Sequence, residues 1–318
     1  MERAGEAAWP RVAVFGAGAV GCWYGARLAR AGAPVVLVGR PAHVEAVRAH
    51  GLRVRSGELT ETVALAADSS PDAITGAGLV LLCVKSADTA AAARAIAPRL
   101  APGAVVVAMQ NGVDNVERAR AAAGLDPVAA VVYVGASMGG PGLVVHAGRG
   151  DLVIGEYPGA AAAPDPGRCA AVAALFGRAG VPCVVSPDVR AALWTKLVMN
   201  AAFNPVSALS RSRYGRIVSD PGTVATLRSI VDECVAVAAA DGVRLEPAGA
   251  LHAAALALGG AMTGATSSTE QDLARGRPTE IDSLNGYVVR RGDALGVPVP
   301  VNRALHALVR LLEQAPAP

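Results

Sequence analysis

The chain has 318 residues, of which 53% are hydrophobic and 17% charged, and its formal net charge at pH 7 is +3. This length predicts two domains, and the small net charge without a basic block argues against a nucleic-acid partner. No apolar run reaches the roughly 18 residues of a membrane span, and the charged N-terminal stretch MERAGEAAWP is unlike a signal peptide. We therefore expect a cytoplasmic protein that has no membrane partner.

The cysteines form no pattern typical of a disulfide framework or a metal site. They are odd in number and widely spaced, at Cys22, Cys83, Cys169, Cys183 and Cys234. We interpret them as reduced, mostly buried small residues. The five histidines show no ligand spacing either, so no metal is predicted.

In the first half of the chain, apolar strand-like runs alternate with helical patterns. The predicted strands are residues 12–15, 35–38, 52–55, 61–65, 79–84, 105–108 and 128–134, and the predicted helices are 20–30 and 89–97. The runs 52–55 and 61–65 flank Ser56-Gly57-Glu58 and predict a hairpin. Apolar strands separated by helices indicate an α/β fold with a mostly parallel sheet that is covered on both faces.

The sequence changes character after Gly140-Pro141-Gly142. We expect a short antiparallel pair at 143–146 and 151–154, an exposed loop at 157–167, a helix at 169–178 and a strand at 182–185. From Asp188 onward the pattern is helical only, with predicted helices at 189–203, 223–240, 248–258, 280–295 and 302–313. The predicted domains are therefore residues 1–186 and an all-α C-terminal domain, residues 187–318.

A glycine-rich motif lies between the first predicted strand and the first predicted helix. The G-x-G-x-x-G residues are Gly16, Ala17, Gly18, Ala19, Val20 and Gly21. In this context the motif predicts a Rossmann-type dinucleotide-binding domain, because the helix N-terminus supplies N–H groups for the pyrophosphate. A glycine-rich turn without a ligand is the alternative.

The end of the second predicted strand bears on the choice of cofactor. That strand ends in Val38-Gly39-Arg40, without the acidic residue that usually binds the ribose 2′-hydroxyl of NAD. Because a guanidinium can pair with a 2′-phosphate, Arg40 predicts NADP(H) as the cofactor. A solvated strand-end charge is the alternative.

A polar stripe crosses the otherwise apolar run LWTKLVMNAAFNPVSAL. Lys196, Asn200 and Asn204 recur at a spacing of four and so share one face of a helix. Because a buried ammonium is costly without a partner, this lysine suggests a site where it meets an anion or transfers a proton.

Further polar residues stand where apolar elements end. Lys85 and Asn111 follow predicted strands, at the sheet edge where ligands of open α/β sheets bind. Ser268 and Glu280 belong to the later block SSTEQDLARGRPTEIDSLNG.

These motifs together resemble the ketopantoate reductase (2-dehydropantoate 2-reductase) family over nearly the whole chain. The resemblance rests on GAGAVG, the strand-end Arg40, VKS at Lys85, QNG at Asn111, WTKLVMNAAFNPVSAL, and the block SS…QD…TEID…NG. Departures from the family occur at Thr269, where methionine is frequent, and near Tyr214, where some members have asparagine.

The resemblance implies NADPH-dependent reduction of the 2-oxo acid ketopantoate to pantoate, on the way to pantothenate and coenzyme A. It implies Lys196 as general acid with Glu280 as its partner carboxylate, and a homodimer. The implied substrate-binding residues are Asn111, Asn200, Asn204 and Ser268. The implied cofactor contacts, besides the glycine motif and Arg40, are Lys85, Asn111 and Glu280.

Two other functions stay open at this point. One is a reductase or dehydrogenase of the same scaffold that acts on another 2-oxo or 2-hydroxy acid, and the other is a non-catalytic NADPH-binding protein. Each side chain also has a structural alternative: surface lysines for Lys85 and Lys196, backbone-bonding amides for Asn200 and Asn204 near Pro205, a helix cap for Ser268, and a helix N-terminal carboxylate for Glu280.

Overall fold

The computed structural model describes residues 8–159 and 165–314, which form two compact units. The first unit comprises the described residues up to Gln110 together with Asp114–Val189. The second comprises Asn111–Val113 and the described residues from Arg190 onward. Three residues in the middle of the chain therefore pack with the C-terminal unit.

The first unit is built on one mixed sheet. Its strands are β1 Val12–Phe15, β2 Val35–Val38, β3 Leu52–Ser56, β4 Leu59–Val63, β5 Ala66–Asp68, β6 Leu79–Leu82, β7 Val105–Ala108, β8 Val128–Gly140, β9 Leu143–Gly155 and β10 Cys183–Val185. Its helices are α1 Ala19–Arg30, α2 Pro41–His50, α3 Thr89–Ile96, α4 Asn115–Ala123 and α5 Pro166–Arg178. The helices α2 and α4 were not predicted from the sequence.

Six neighbouring strands of this sheet are parallel. They run in the spatial order β5-β2-β1-β6-β7-β8. Numbered by their order in the chain, these strands give 3-2-1-4-5-6, the order of a Rossmann-type sheet, which confirms the predicted fold class. The strands β2 and β5 lie on one side of β1, and β6, β7 and β8 lie on the other. The switch point of the strand order is therefore between β1 and β6.

Successive residues of the central strands face two separate apolar cores. Val12 and Val14 of β1 belong to one buried cluster, whereas Ala13 between them belongs to the other. Since side chains alternate across a strand, this division means that both faces of the sheet are covered. The uninterrupted apolar runs in the sequence follow from this double burial.

The region after β8 corrects one prediction. Residues 143–146 and 151–154 do not pair with each other; both belong to β9, which pairs antiparallel with β8 through a turn at Pro141-Gly142. Gly148, Arg149 and Gly150 have positive φ angles of 137°, 55° and 149°. Their composition imitates a turn, but they lie in a strand whose register shifts. The hairpin predicted around Gly57 is confirmed as β3–β4, with Ser56 opposite Leu59.

The predicted exposed loop at 157–167 is wrong at its start. Tyr157 is buried, and its hydroxyl donates to Glu117 Oε1 at 3.1 Å. Residues 160–164 of this prediction lie outside the described residues, and α5 begins at Pro166 rather than near residue 169.

Helices are the only regular elements among the described residues of the second unit, as predicted. Its helices are α6 Val189–Ser210, whose first residue lies in the first unit, α7 Tyr214–Ser219, α8 Pro221–Ala240, α9 Ala248–Ala261, α10 Ser268–Ala274, α11 Asn285–Leu295 and α12 Pro300–Gln314. A 3₁₀ turn at Ile281–Ser283 precedes α11. In the part of the chain that the structure describes, no helix combines the length and apolarity needed to cross a membrane.

Two helices of this unit differ from their predicted bounds by five residues or more at one end. The helix predicted to end at residue 203 continues through Pro205 to Ser210. Pro205 has no N–H, so the carbonyl of Ala201 loses its helical donor, and Asn285 Nδ2 supplies one at 3.0 Å. The helix predicted from residue 280 begins only at Asn285, since a 3₁₀ turn at Ile281–Ser283 comes first, with Glu280 at its N-cap position but without a side-chain cap.

Candidate active site

The turn between β1 and α1 requires glycine at two positions. Gly16 has a φ of +111°, and a Cβ there would lie 2.6 Å from the backbone carbon of Cys83. A Cβ on Gly21 would lie 2.4 Å from the carbonyl oxygen of Gly16. Gly16 therefore lets β1 approach the end of β6, and Gly21 lets α1 pack against the turn.

Gly18 differs from these two glycines because the space next to it is open. A Cβ there would meet no atom within 4 Å, and Gly18 is the N-cap residue of α1 without a side-chain cap. The N–H groups of the first helical turn have no partner within the helix and carry the positive end of its dipole. Open space beside such N–H groups fits the pyrophosphate of a dinucleotide.

Arg40 stands at the carboxyl end of β2 as the N-cap residue of α2, with its side chain exposed. On the neighbouring strand, Asp68 lies opposite Val38, and its carboxylate binds Arg48 at 2.6 Å. The backbone N–H of Ser70 and then Arg48 keep the pKa of Asp68 below its usual value. The Asp68 carboxylate is therefore bound by Arg48 and not by Arg40. This arrangement suits the Arg40 guanidinium for binding an anionic ligand.

Lys85 lies at the carboxyl end of β6, three residues after Leu82, and is half-buried. It directly follows the Cys83-Val84 backbone that Gly16 approaches. The glycine turn and Lys85 are thus at the switch point of the sheet, where Rossmann-type domains bind their ligands.

In the second unit, hydrogen bonds join three predicted residues into a chain. Lys196 Nζ donates to Asn111 Oδ1 at 2.8 Å, and Asn111 Nδ2 donates to Glu280 Oε2 at 2.9 Å. The three side chains are half-buried and come from positions separated by 85 and 169 residues. A single amide therefore bridges an ammonium and a carboxylate, using its oxygen for one and its nitrogen for the other.

The surroundings of Lys196 on α6 are apolar. Trp194, Leu197 and Val198 are buried next to it in the sequence. Lys196 itself is half-buried, so its interactions with charge are stronger than in bulk water. The ammonium of Lys196 is thus bonded to a side chain of the same unit, through Asn111.

The remaining predicted residues lie further along α6 and at the start of α10. Asn200 is half-buried, and its amide has no hydrogen-bond partner among residues 8–159 and 165–314. Asn204 is buried, and its Nδ2 donates to Ser268 Oγ over a long 3.5 Å. The helix cap is Ser267 rather than Ser268, since Ser267 Oγ accepts from Glu270 N at 3.0 Å.

Sequence reasoning missed two residues that support this site. Asn285 bonds the carbonyl of Ala201 on α6, and Ser267 Oγ donates to the carbonyl of Asn204 at 3.2 Å. The signal for Ser267 was present as S-x-x-E ahead of a helix. The signal for Asn285 was indirect, since a proline inside a buried helix demands a donor from elsewhere.

Comparison with known proteins agrees with this architecture. Residues 12–159 match the family described as "Ketopantoate reductase PanE/ApbA", and residues 188–313 match its C-terminal domain. The chain is 38% identical to a 2-dehydropantoate 2-reductase of Halobacterium salinarum, covering 96% of this chain and 99% of the relative. It is 34% identical to one of Archaeoglobus fulgidus, with coverages of 95% and 98%.

Solved structures give the same result. The crystal structure of a PanE/ApbA family ketopantoate reductase from Ralstonia eutropha JMP134 shares 50% sequence identity with the chain. The TM-score is 0.87, with 95% of this chain and 98% of the other covered. The fold and these relatives define a dinucleotide-dependent oxidoreductase that acts on CH–OH donors. Within that class, the chain belongs to the ketopantoate reductase family.

Proposed function

We propose that the protein reduces 2-dehydropantoate (ketopantoate) to pantoate with NADPH, as a cytoplasmic step of pantothenate and coenzyme A biosynthesis. The observation that carries this proposal is the hydrogen-bonded chain from Lys196 through Asn111 to Glu280. The relatives from Halobacterium salinarum and Archaeoglobus fulgidus, both named 2-dehydropantoate 2-reductase, support the choice of substrate.

Lys196 is the proposed general acid. Bound NADPH would supply the hydride for the 2-keto carbon. As that carbon is reduced, negative charge develops on its oxygen, and the ammonium of Lys196 stabilises the charge and donates the proton. Glu280, acting through Asn111, keeps the ammonium aligned and offers an acceptor for the substrate hydroxyl.

Three uncharged side chains are proposed to bind the substrate together with Asn111. Asn200, Asn204 and Ser268 lie along α6 and the start of α10. Amide and hydroxyl groups bind carboxylate and hydroxyl oxygens without adding net charge beside Lys196. Of the two on α6, Asn200 lies nearer to Lys196, one turn after it on the same face.

For the cofactor we propose that the turn of residues 16–21 binds the pyrophosphate and that Arg40 pairs with the 2′-phosphate. Lys85, Asn111 and Glu280 are proposed as further cofactor contacts. We also propose that residues 1–186 form the cofactor-binding domain and residues 187–318 the catalytic domain, to which Asn111 contributes. The protein is further proposed to form a homodimer. Sedimentation equilibrium tests the dimer.

The first experiment is NADPH oxidation by the purified protein with ketopantoate. NADH is measured in parallel, and pyruvate and 2-oxoisovalerate serve as comparison substrates without the terminal hydroxyl. The proposal predicts the highest kcat/KM for NADPH with ketopantoate. Turnover of another 2-oxo acid in preference to ketopantoate would reassign the substrate, and NADPH binding without turnover of any acid would argue for a non-catalytic protein.

A further inference from the structure

The helix that carries Lys196 has one defect in its hydrogen bonding, and the defect lies inside the candidate site. Pro205 deprives the Ala201 carbonyl of its donor, between Asn200 and Asn204. Ala201 is fully buried, so water cannot satisfy this carbonyl. An unpaired carbonyl at this depth would be costly.

The donor comes from Asn285, the first residue of α11. Asn285 is fully buried, and its Nδ2 donates to Ala201 O at 3.0 Å. Its position follows Glu280 by five residues, through the 3₁₀ turn Ile281–Ser283. This bond therefore ties the segment that holds Glu280 to the helix that holds Lys196.

The orientation of the Asn285 amide is fixed by a second acceptor. Nδ2 also donates to Asn302 Oδ1 at 2.9 Å, so both of its hydrogens are used. Asn302 Nδ2 in turn donates to Glu233 Oε2 at 2.8 Å. The Glu233 carboxylate also accepts from the backbone N–H groups of Val301 and Asn302 at the start of α12. A buried relay of side chains thus anchors the amide.

We infer that Asn285 is a positioning residue for the reaction. Its side chain anchors α11 to α6 at the turn that Pro205 interrupts, and this fixes Glu280 and its partner Asn111 in position relative to Lys196. Asn285 does not touch the reacting groups. The inference rests on the proposed function, in which these three residues carry the proton-transfer step. It gives Pro205 a role as well, because the N–H that proline lacks leaves the Ala201 carbonyl open to the Asn285 amide.

The chain offers a variant pair that separates positioning from stability. Asn285→Ala removes the anchor and leaves the Ala201 carbonyl unpaired. Adding Pro205→Ala restores an N–H at residue 205 to satisfy that carbonyl, but it does not restore the link to α11. Asp220→Ala is the control, since it removes the side-chain cap that accepts from Thr223 N at the start of α8 and touches neither Asn285 nor the side chains bonded to it.

For each variant we would measure Tm, kcat, and KM for NADPH and for the 2-oxo acid that the wild type reduces best. We expect Asn285→Ala to lower both Tm and kcat, the latter about tenfold or more, because small misplacements of catalytic groups are costly. Asn285→Ala/Pro205→Ala should regain part of the lost Tm but keep the low kcat, with KM for NADPH unchanged. Asp220→Ala should lower Tm, because a helix cap is lost, and leave kcat near the wild-type value.

Recovery of kcat together with Tm in the double variant would show that Asn285 only satisfies a buried carbonyl and would overturn the inference. A crystal structure of the double variant gives a readout that does not depend on turnover. Retention of both hydrogen bonds of Asn111, to Lys196 and to Glu280, would overturn the inference, and their separation would support it. Wild-type turnover of ketopantoate is scored separately and tests only the proposed substrate.

Discussion

Lysine is scarce in this chain, which has 27 arginines but only two lysines, Lys85 and Lys196. The guanidinium of arginine stays protonated at any physiological pH, so arginine can hold an anion but is a poor proton donor. A lysine ammonium can do both. The one lysine in the second unit is bonded to Asn111, in the place where the proposed reaction needs a proton.

Two substitutions of Lys196 separate its charge from its proton. Lys196→Ala should lower kcat by about two orders of magnitude or more, the usual yield of general acid catalysis. Lys196→Arg keeps the positive charge and should be nearly as slow, because the guanidinium does not release its proton. Steady-state kinetics with circular dichroism as a fold control measures both. Near-wild-type turnover of the arginine variant would assign Lys196 an electrostatic role only.

Glu280 is expected to recognise a hydroxyl group on the substrate. Glu280→Ala should lower kcat/KM more for ketopantoate than for 2-oxoisovalerate, which lacks that hydroxyl, because only ketopantoate loses a hydrogen bond to the carboxylate. Both acids also lose the alignment of Asn111, so the ratio between them is the informative quantity. Equal losses for the two acids would remove Glu280 from substrate recognition.

Arg40 should determine the preference between the two nicotinamide cofactors. Arg40→Glu is expected to raise KM for NADPH about tenfold or more, since a charge-assisted hydrogen bond contributes ~1.5–3 kcal/mol. NADH use should improve, because a carboxylate can bind the ribose 2′-hydroxyl. Arg228→Glu makes the same charge change at an exposed position of α8 and controls for net charge. An Arg40→Glu enzyme with unchanged kinetics for both cofactors would contradict the assignment.

At the scale of elements, the β1–α1 turn offers a matched pair of alanine substitutions. Gly21→Ala places a Cβ 2.7 Å from Val14 Cγ1 as well as against the Gly16 carbonyl, so it should lower the free energy of unfolding by ~1–3 kcal/mol. Gly18→Ala meets no neighbour and has an ordinary φ of −85°, so stability should be unchanged.

The Gly18→Ala variant should nevertheless bind NADPH more weakly, because its methyl group fills the space over the first turn of α1. Urea denaturation and NADPH titration by fluorescence measure the two effects independently. Wild-type affinity in Gly18→Ala would mean that no phosphate approaches this backbone.

The sequence predicted the strands that are buried on both faces. It missed or misplaced elements that have few buried residues or that contain glycine or proline. The central strands were recognisable because both faces are buried, whereas α4 has few apolar positions and buries only Asn115, Val116 and Ala119. The strand β9 was divided in two because its glycines resemble a turn. Helix α6 was ended too early because the donor that allows Pro205 comes from Asn285, 80 residues away.

The same limit applied to the candidate site. The spacing of Lys196, Asn200 and Asn204 predicted their common helix and face. The hydrogen bonds of Asn111 could not be read from spacing, because tertiary packing alone brings residues 111, 196 and 280 together.

Across the whole molecule, the five cysteines are free thiols in the structure and provide a probe of global unfolding. Burial raises the pKa of Cys22 and of Cys169 to about 12, and it also raises the pKa of Cys83 and Cys234. Since the thiolate is the reactive form, the thiols should react slowly with Ellman's reagent at pH 8 in the native protein. Their reactivity should rise with the urea unfolding transition. A fast reaction of one native thiol would contradict this prediction.

Because of the segment Asn111–Val113, neither unit is formed by one continuous stretch of the chain. The chain enters the second unit for these three residues, returns to the first, and leaves it again after Val189. A fragment that begins at Arg190 would contain Lys196 and Glu280 but not the amide that bridges them. Halves divided at this point would each be incomplete, and catalysis would return only when they reassociate. If each half is fused to one of two partner proteins, turnover is expected only when the partners associate, so the pair would report on that association.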